Sequence, residues 1–107
     1  MSGVATTRLK RNIEVPEERL RDFCEHNHIY KLSFFGSVLR DDFGPGSDVD
    51  VLVEYLPGHV PGFAFIRHQD ELSRILGRKV DLNTPNSLGR YYRDKVLAEA
   101  EQIYLRA

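Results

Sequence analysis

Two aspartates, Asp48 and Asp50, stand where the sequence predicts a strand, and their spacing suits chemistry on phosphate groups. They are two residues apart in the run DVDVLVEY, so in a strand both side chains point to one face, with Cβ atoms roughly 6–7 Å apart. Aspartate is disfavoured in strands and like charges on one face repel, so folding alone gives no reason for the pair. Mg²⁺ binds carboxylate oxygens together with phosphate oxygens, and a divalent cation would turn this repulsion into attraction.

A third aspartate, Asp81, stands in the short run KVDLN. It lies between Val80 and Leu82, so it points away from the core when those two side chains point toward it. If this strand neighbours the one that carries Asp48 and Asp50, the three carboxylates converge on one surface. Three acidic groups can hold two metal ions, an arrangement that supports in-line displacement at phosphorus. We therefore expect these three aspartates to be the catalytic and metal-binding residues, with Mg²⁺, in two ions, as the metal.

The dipeptide Gly36-Ser37 supplies a complementary group for a bound anion. Glycine permits unusual dihedral angles and a close approach of the backbone. Free N–H groups at the start of a following helix form an anion site, to which Ser37 adds a hydroxyl donor. Arg40 lies one turn further on, where it can contact a phosphate or pair instead with Asp41 or Asp42. Together with the carboxylates, this pattern predicts binding of a nucleoside triphosphate with its metal ions.

The rest of the sequence predicts the elements that position these residues. Strands are expected over 30–35, 48–55 and 79–83, and helices near 16–27, 37–42, 63–76 and 91–101, while 103–105 closes as a small strand or helix end. In the second strand the valines share the core face, and they are Val49, Val51 and Val53. The helix at 63–76 is expected to bury an apolar stripe made up of Phe63, Ile66, Leu72, Ile75 and Leu76. This order indicates an α+β fold, an α/β sandwich with helices packed on a small mixed β-sheet.

Length and charge narrow the class of protein further. The chain has 107 residues, of which 41% are hydrophobic, and this predicts one compact domain over 13–107 after a flexible N-terminal arm at 1–12. The net charge of -1 argues against a general nucleic-acid or membrane binder. No apolar run approaches the roughly 18 residues of a transmembrane helix. The single cysteine, Cys24, excludes an intrachain disulfide and fits a reducing cytoplasm.

Other site types find little support in the sequence. No P-loop motif occurs, and the acidic loop at 41–50 lacks the spacing of a calcium loop. The four histidines are interpreted as surface or packing residues because no further ligand stands at zinc spacing; they are His26, His28, His59 and His68. Four aromatic residues are expected in the core or an interface rather than in a base-stacking platform, namely Phe63, Phe65, Tyr91 and Tyr92.

The spacing of these motifs resembles a known superfamily. Gly36-Ser37, ten residues, then Asp48-Val49-Asp50 is similar to the G-S-x₁₀-D-x-D signature of polymerase-β-type nucleotidyltransferases. The runs FFGSVLRDDFGPGSDVDVLVEY, GRKVDLNTPNSL and RDKVLAEAEQIY resemble its minimal branch, the small prokaryotic MNT or MntA antitoxins that accompany HEPN-domain toxins. The resemblance spans residues 13–105.

The resemblance implies a fold, a reaction and a role for each motif residue. The fold is that of polymerase-β-like nucleotidyltransferases, and the reaction of the antitoxin branch transfers AMP from ATP to a tyrosine of the partner toxin, which silences its RNase activity. Gly36 and Ser37 match the pair that positions the phosphates. Asp48 and Asp50 match the metal-binding pair, and Asp81 matches the third carboxylate, which helps activate the attacking hydroxyl.

Two alternatives stay open at this point. The small size and aromatic-rich helices also fit an antitoxin that only binds and occludes its toxin. Nucleotidyl transfer to a small molecule or to an RNA end is the other alternative, although the balanced charge disfavours extended RNA binding. The resemblance implies ATP and a HEPN-domain toxin as partners, in a hetero-oligomer in the prokaryotic cytoplasm.

Overall fold

A computed structural model describes residues 7–10 and 13–106 of the chain. Its strands are β1 (Thr7–Lys10), β2 (Ile13–Pro16), β3 (Ile29–Phe35), β4 (Val49–Tyr55), β5 (Val80–Asn83) and β6 (Glu101–Leu105). Its α-helices are α1 (Glu17–His26), α2 (Ala64–Leu76) and α3 (Arg90–Glu99). Short 3₁₀ turns cover Gly36–Leu39 and Pro85–Ser87. No helix in the described part of the chain has the length and apolarity to cross a membrane.

The main sheet has four strands in the order β5-β4-β3-β6. β3 pairs in antiparallel fashion with β4 and with β6, whereas β4 and β5 are parallel. Parallel neighbours need a crossover connection, and α2 provides it. The sheet is therefore mixed, with three helices packed on it, and the predicted fold class is confirmed.

Alternation along β4 separates a large core from a small one. Val49, Val51 and Val53 are fully buried in a cluster of 18 residues that includes apolar side chains of α1 and α2. Leu52 points to the other face, where it packs with Phe35, Leu88 and Val96, the last from α3. The predicted core face of this strand is confirmed, and Leu52 on the opposite face is covered as well.

The structure describes only part of the segment 1–12 that the sequence predicts as a flexible arm. Residues 1–6 and 11–12 lie outside the described residues. Thr7–Lys10 forms β1, which pairs with β2 in antiparallel register. Ile13 and Val15 are buried in the large core, and their alternation with Glu14 is the strand signal that the sequence interpretation overlooked.

The apolar stripe predicted for the helix at 63–76 is only half right. His68, Leu72, Ile75 and Leu76 are buried, but Phe63 is 98% exposed and Ile66 is 63% exposed. At about 100° per residue, positions nine apart lie on opposite sides of a helix, so Phe63 cannot share the face of Leu72.

The helix predicted at 37–42 needs correction, because it is a single 3₁₀ turn over Gly36–Leu39. The helix predicted at 91–101 ends earlier, at Glu99. The segment 103–105 is part of a strand, β6, so the strand alternative is confirmed. Tyr91 is 94% exposed and Tyr92 is 48% exposed, so neither is a core residue, and their place in an interface stays a prediction.

Candidate active site

The acidic site, made up of Asp48, Asp50 and Asp81, lies where the starts of β4 and β5 meet the end of β3. Asp50 is paired with Asp81 in the parallel register of β4 and β5, and with Phe35 across the antiparallel pair. Neighbouring strands are roughly 4.8 Å apart and paired residues share a face. The two carboxylates are therefore neighbours, as the sequence predicted on the condition that these strands were adjacent.

The bend at Gly36 forms one wall of this site. Gly36 follows β3 directly and has a φ of 73°. The Asp50 carboxylate lies against its Cα, in the space that a Cβ at this position would occupy. The backbone of the predicted phosphate-positioning pair is thus in contact with a predicted metal-binding aspartate, although the two residues are distant in sequence.

Asp48 lies at the rim of the site. It precedes β4, its side chain is 49% exposed, and its Oδ2 atom is 4.0 Å from the Nζ atom of Lys79. Within residues 13–106, no three His, Cys, Asp or Glu side chains stand together at metal-ligand spacing. The three aspartates therefore do not form a group at metal-ligand spacing, and the Lys79 ammonium attracts the Asp48 carboxylate.

The surroundings of Asp50 make its negative charge unfavourable. Partial burial raises the pKa of Asp50, and the carboxylates of Asp81 and Asp48 raise this pKa further, while Arg40 acts in the opposite direction. Perturbed acids of this kind gather at functional sites. The donor set, hard carboxylate oxygens with an excess of negative charge, fits Mg²⁺.

The other predicted phosphate contacts lie at the same edge of the sheet. Ser37 is within the 3₁₀ turn, and its carbonyl accepts a hydrogen bond of 2.9 Å from the backbone N–H of Arg40. Arg40 is exposed, and its positive charge reaches Asp50. Because the turn has four residues instead of a full helix, fewer backbone N–H groups are available to an anion than predicted.

Sequence reasoning missed three residues that hold this site together. Arg78 donates to two carbonyls of the loop before Asp48. Ser73 and Gln69, both on α2, accept hydrogen bonds from the backbone N–H groups of Val80 and Leu82, on either side of Asp81. No spacing rule signals these contacts, because they join residues from 7 to 34 positions apart.

The histidines do not contribute to the site. His26, His28 and His59 are exposed, and the rings of His28 and His59 stack with centroids 4.1 Å apart. His68 is buried and hydrogen-bonded to the hydroxyl of Tyr55. Their interpretation as surface or packing residues is confirmed.

Comparisons with known proteins agree with this geometry. A family model described as a nucleotidyltransferase domain matches residues 17–104. The chain is 35% identical over 92 residues to MJ0435 of Methanocaldococcus jannaschii, which is named as a candidate protein adenylyltransferase; the match covers 86% of this chain and 98% of the relative.

Two solved structures have the same fold. One, a candidate minimal nucleotidyltransferase, superposes with a TM-score of 0.66 and 31% identity over 82% of this chain and 87% of its own. The other, a toxin-antitoxin complex with AMP-PNP, gives a TM-score of 0.67 and 19% identity over 83% of this chain and 73% of its own. The family match covers most of the chain and includes every residue of the acidic site. The chain therefore belongs to the nucleotidyltransferase domain family and is a nucleotidyltransferase.

Proposed function

We propose that this chain is a Mg²⁺-dependent antitoxin that transfers AMP from ATP to a tyrosine hydroxyl of a HEPN-domain toxin in the cytoplasm. The observation that carries the proposal is the pairing of Asp50 with Asp81 against Gly36. The named activity of the relative MJ0435 and the toxin-antitoxin complex with AMP-PNP support the nucleotide and the type of partner. The HEPN domain and the tyrosine acceptor rest on the resemblance of the motifs.

Each residue of the site has a defined part in this reaction. Asp48, Asp50 and Asp81 would hold Mg²⁺, which when bound neutralises charge on the triphosphate. Asp81 accepts the proton of the tyrosine hydroxyl, whose oxygen forms a bond to the α-phosphorus. The bond from that phosphorus to the β-phosphate oxygen breaks, and pyrophosphate leaves with the electron pair.

The phosphate contacts complete the proposed site. Gly36 permits the Asp50 carboxylate to lie directly against the backbone of the turn, which keeps the metal-binding and phosphate-binding groups of the proposed site side by side. The Ser37 hydroxyl and the Arg40 guanidinium contact the departing phosphates and keep them in line with the attacking oxygen. The adenylylated tyrosine and pyrophosphate are the products.

Transfer of label from ATP labelled at the α-phosphate to the purified partner toxin tests the proposal. Asp50→Asn should lower the rate at least about 100-fold, because loss of electrostatic stabilisation at a reacting centre typically has this effect. The matched control is Asp22→Asn, an exposed aspartate on α1, which should retain the parent rate. Undiminished transfer by Asp50→Asn, with the variant folded, would refute the assignment.

Neutralisation by occlusion is the second candidate, and exposed apolar residues favour it. Val60, Phe63 and Ile66 are 78%, 98% and 63% exposed and line one surface depression. Clustered exposed apolar residues mark interaction sites. Growth rescue separates the candidates: if Asp50→Asn still protects toxin-expressing cells and Phe63→Ser does not, binding is the function.

A further inference from the structure

We propose that Arg78 is a positioning residue that fixes the backbone at Asp48 relative to Asp81, at a place from which the two carboxylates can share a divalent cation. This inference rests on the proposed function to the extent that Asp48 is a metal ligand. It concerns a residue that no motif of the sequence marks.

The contacts of Arg78 hold the loop that ends at Asp48. The Nη2 atom of Arg78 donates to the carbonyl oxygens of Gly44 and Ser47, at 2.6 and 2.9 Å. Its guanidinium lies 4.5 Å from the ring centroid of Phe43, and that ring packs against the large core. The loop is thus tied to the core through Arg78, at the residue immediately before Asp48.

Val49, the residue after Asp48, is held by Lys79, which follows Arg78 in the segment between α2 and β5. The backbone N–H of Val49 donates to the carbonyl of Lys79 at 2.8 Å. Asp48 therefore stands between Ser47, which Arg78 holds, and Val49, which Lys79 holds. Because the same segment continues into β5, it sets the position of Asp48 relative to Asp81.

Gly77 determines where this segment begins. It ends α2 in the left-handed conformation with a φ of 67°, which turns the chain away from the helix axis. The backbone N–H of Arg78 then donates to the carbonyl of Ser73 at 3.2 Å. The guanidinium consequently starts from a fixed point, and the two hydrogens of its Nη2 atom are directed to the two carbonyls.

Two other arginines also donate to backbone carbonyls, and one of them serves as a control. Arg93 donates to the carbonyls of Pro85 and Leu88, at 2.7 and 3.3 Å, but it links α3 to the small core that adjoins Asp50. Arg106 donates to the carbonyls of Ile29 and Cys24, both at 3.3 Å, at the end of β3 that lies away from Gly36. A purely structural role for Arg78 would make its replacement equivalent to a replacement of Arg106.

Calorimetric titration of the whole chain with Mn²⁺ or Mg²⁺ tests the inference without any catalytic step. Arg78→Lys retains the positive charge, and it removes the guanidinium that lies over Phe43 and donates to both carbonyls. Loss of a residue that orients metal ligands typically weakens metal affinity 10–100-fold, and we expect about 10-fold weaker binding in Arg78→Lys. Arg106→Lys should keep the parent dissociation constant within about 2-fold.

The outcomes separate this inference from the proposed function. Equal dissociation constants for folded Arg78→Lys and Arg106→Lys, or no divalent binding by the parent chain, overturn the inference. If AMP transfer by the parent chain persists while these constants are equal, the function stands and the role of Arg78 does not. If the parent chain binds the ion with the expected dependence on Arg78 but labels no partner, the inference stands and the proposed acceptor is wrong.

Discussion

Gly36 must be a glycine for two separate reasons, and both concern the Cβ atom that any other residue would have. Its φ of 73° lies in the left-handed region, which is unfavourable for residues with a Cβ by roughly 1–2 kcal/mol. The space for a Cβ is also taken by the carboxylate of Asp50. A side chain here would therefore change the position of the most perturbed acid of the site.

Comparison with Gly58 separates these two effects. Gly58 has a φ of 81° but open space around its Cα, so Gly58→Ala should lower the free energy of unfolding by about 1–2 kcal/mol. Gly36→Ala should lower it by about 1–3 kcal/mol more, the usual range for overpacking, and should abolish AMP transfer. Urea unfolding measures both variants. Equal losses would show that Asp50 moves aside freely.

The strand faces on which Asp50 and Asp81 lie were predictable, whereas the direction of the Asp48 side chain was not. Asp50 and Asp81 follow from alternation along two strands, which is local information. Asp48 precedes its strand, and its side chain approaches Lys79, 31 positions further along the chain. Spacing carries no information about such a partner.

At the scale of elements, α2 completes the outer edge of β5. The oxygens of Gln69 and Ser73 accept the two N–H groups that β5 directs away from β4, at 2.9 and 3.0 Å. An edge strand otherwise exposes such groups to pairing with other chains. Polar residues on a helix are ordinarily interpreted as a solvent face, which is why the sequence did not reveal this contact.

His68 joins three elements and should make stability depend on pH. From α2 its Nδ1 atom is hydrogen-bonded to the Tyr55 hydroxyl on β4, at 2.8 Å, and its ring meets that of Phe23 on α1. Burial lowers the pKa of His68, with Glu71 opposing and Arg67 reinforcing the shift. The unfolded chain, with a histidine pKa of about 6.5, therefore takes up this proton first as the pH falls.

The sign of the effect follows from this order of protonation. The contribution of His68 is fully present above pH about 6.5 and is lost as the pH falls toward the lower pKa of the folded state. His68→Gln should reduce the fall in the free energy of unfolding between about pH 7.5 and about pH 5. Urea titration at intervals of about half a pH unit measures this fall. His26→Gln, at an exposed position on α1, is the control. A steep fall in both variants would contradict the assignment.

At the scale of the whole molecule, the sheet is covered unequally on its two faces. Among the described residues, the large core has 18 buried members and receives α1 and α2, whereas the core beneath α3 has four. The face of β4 on which the large core lies was predictable from alternation along that strand. The extent of the second core was not, because Leu88 and Val96 join it from a turn and a helix whose placement depends on tertiary contacts.

This inequality predicts that α3 opens more readily than the rest of the molecule. Segments with few buried apolar contacts exchange their amide hydrogens through local opening at a free energy below that of global unfolding. Amides of α3 should therefore exchange faster than those of β4, as measured by native-state hydrogen exchange. Val96→Ala should lower the opening free energy of α3 by about 1–2 kcal/mol, while Leu97→Ala, at a position 47% exposed, should change it little.

The opening of α3 bears on the acidic site because the small core adjoins it. Phe35 is paired with Asp50, and Leu52 follows Asp50 by two residues on the same face. Partial burial is the main cause of the raised pKa of Asp50. Opening of α3 would let water reach this carboxylate, and a hydrated carboxylate gains less from binding a cation. Val96→Ala should therefore reduce divalent-cation affinity along with α3 protection. If exchange in α3 accelerates and the affinity is unchanged, the acidic site is independent of the helix that covers its neighbours.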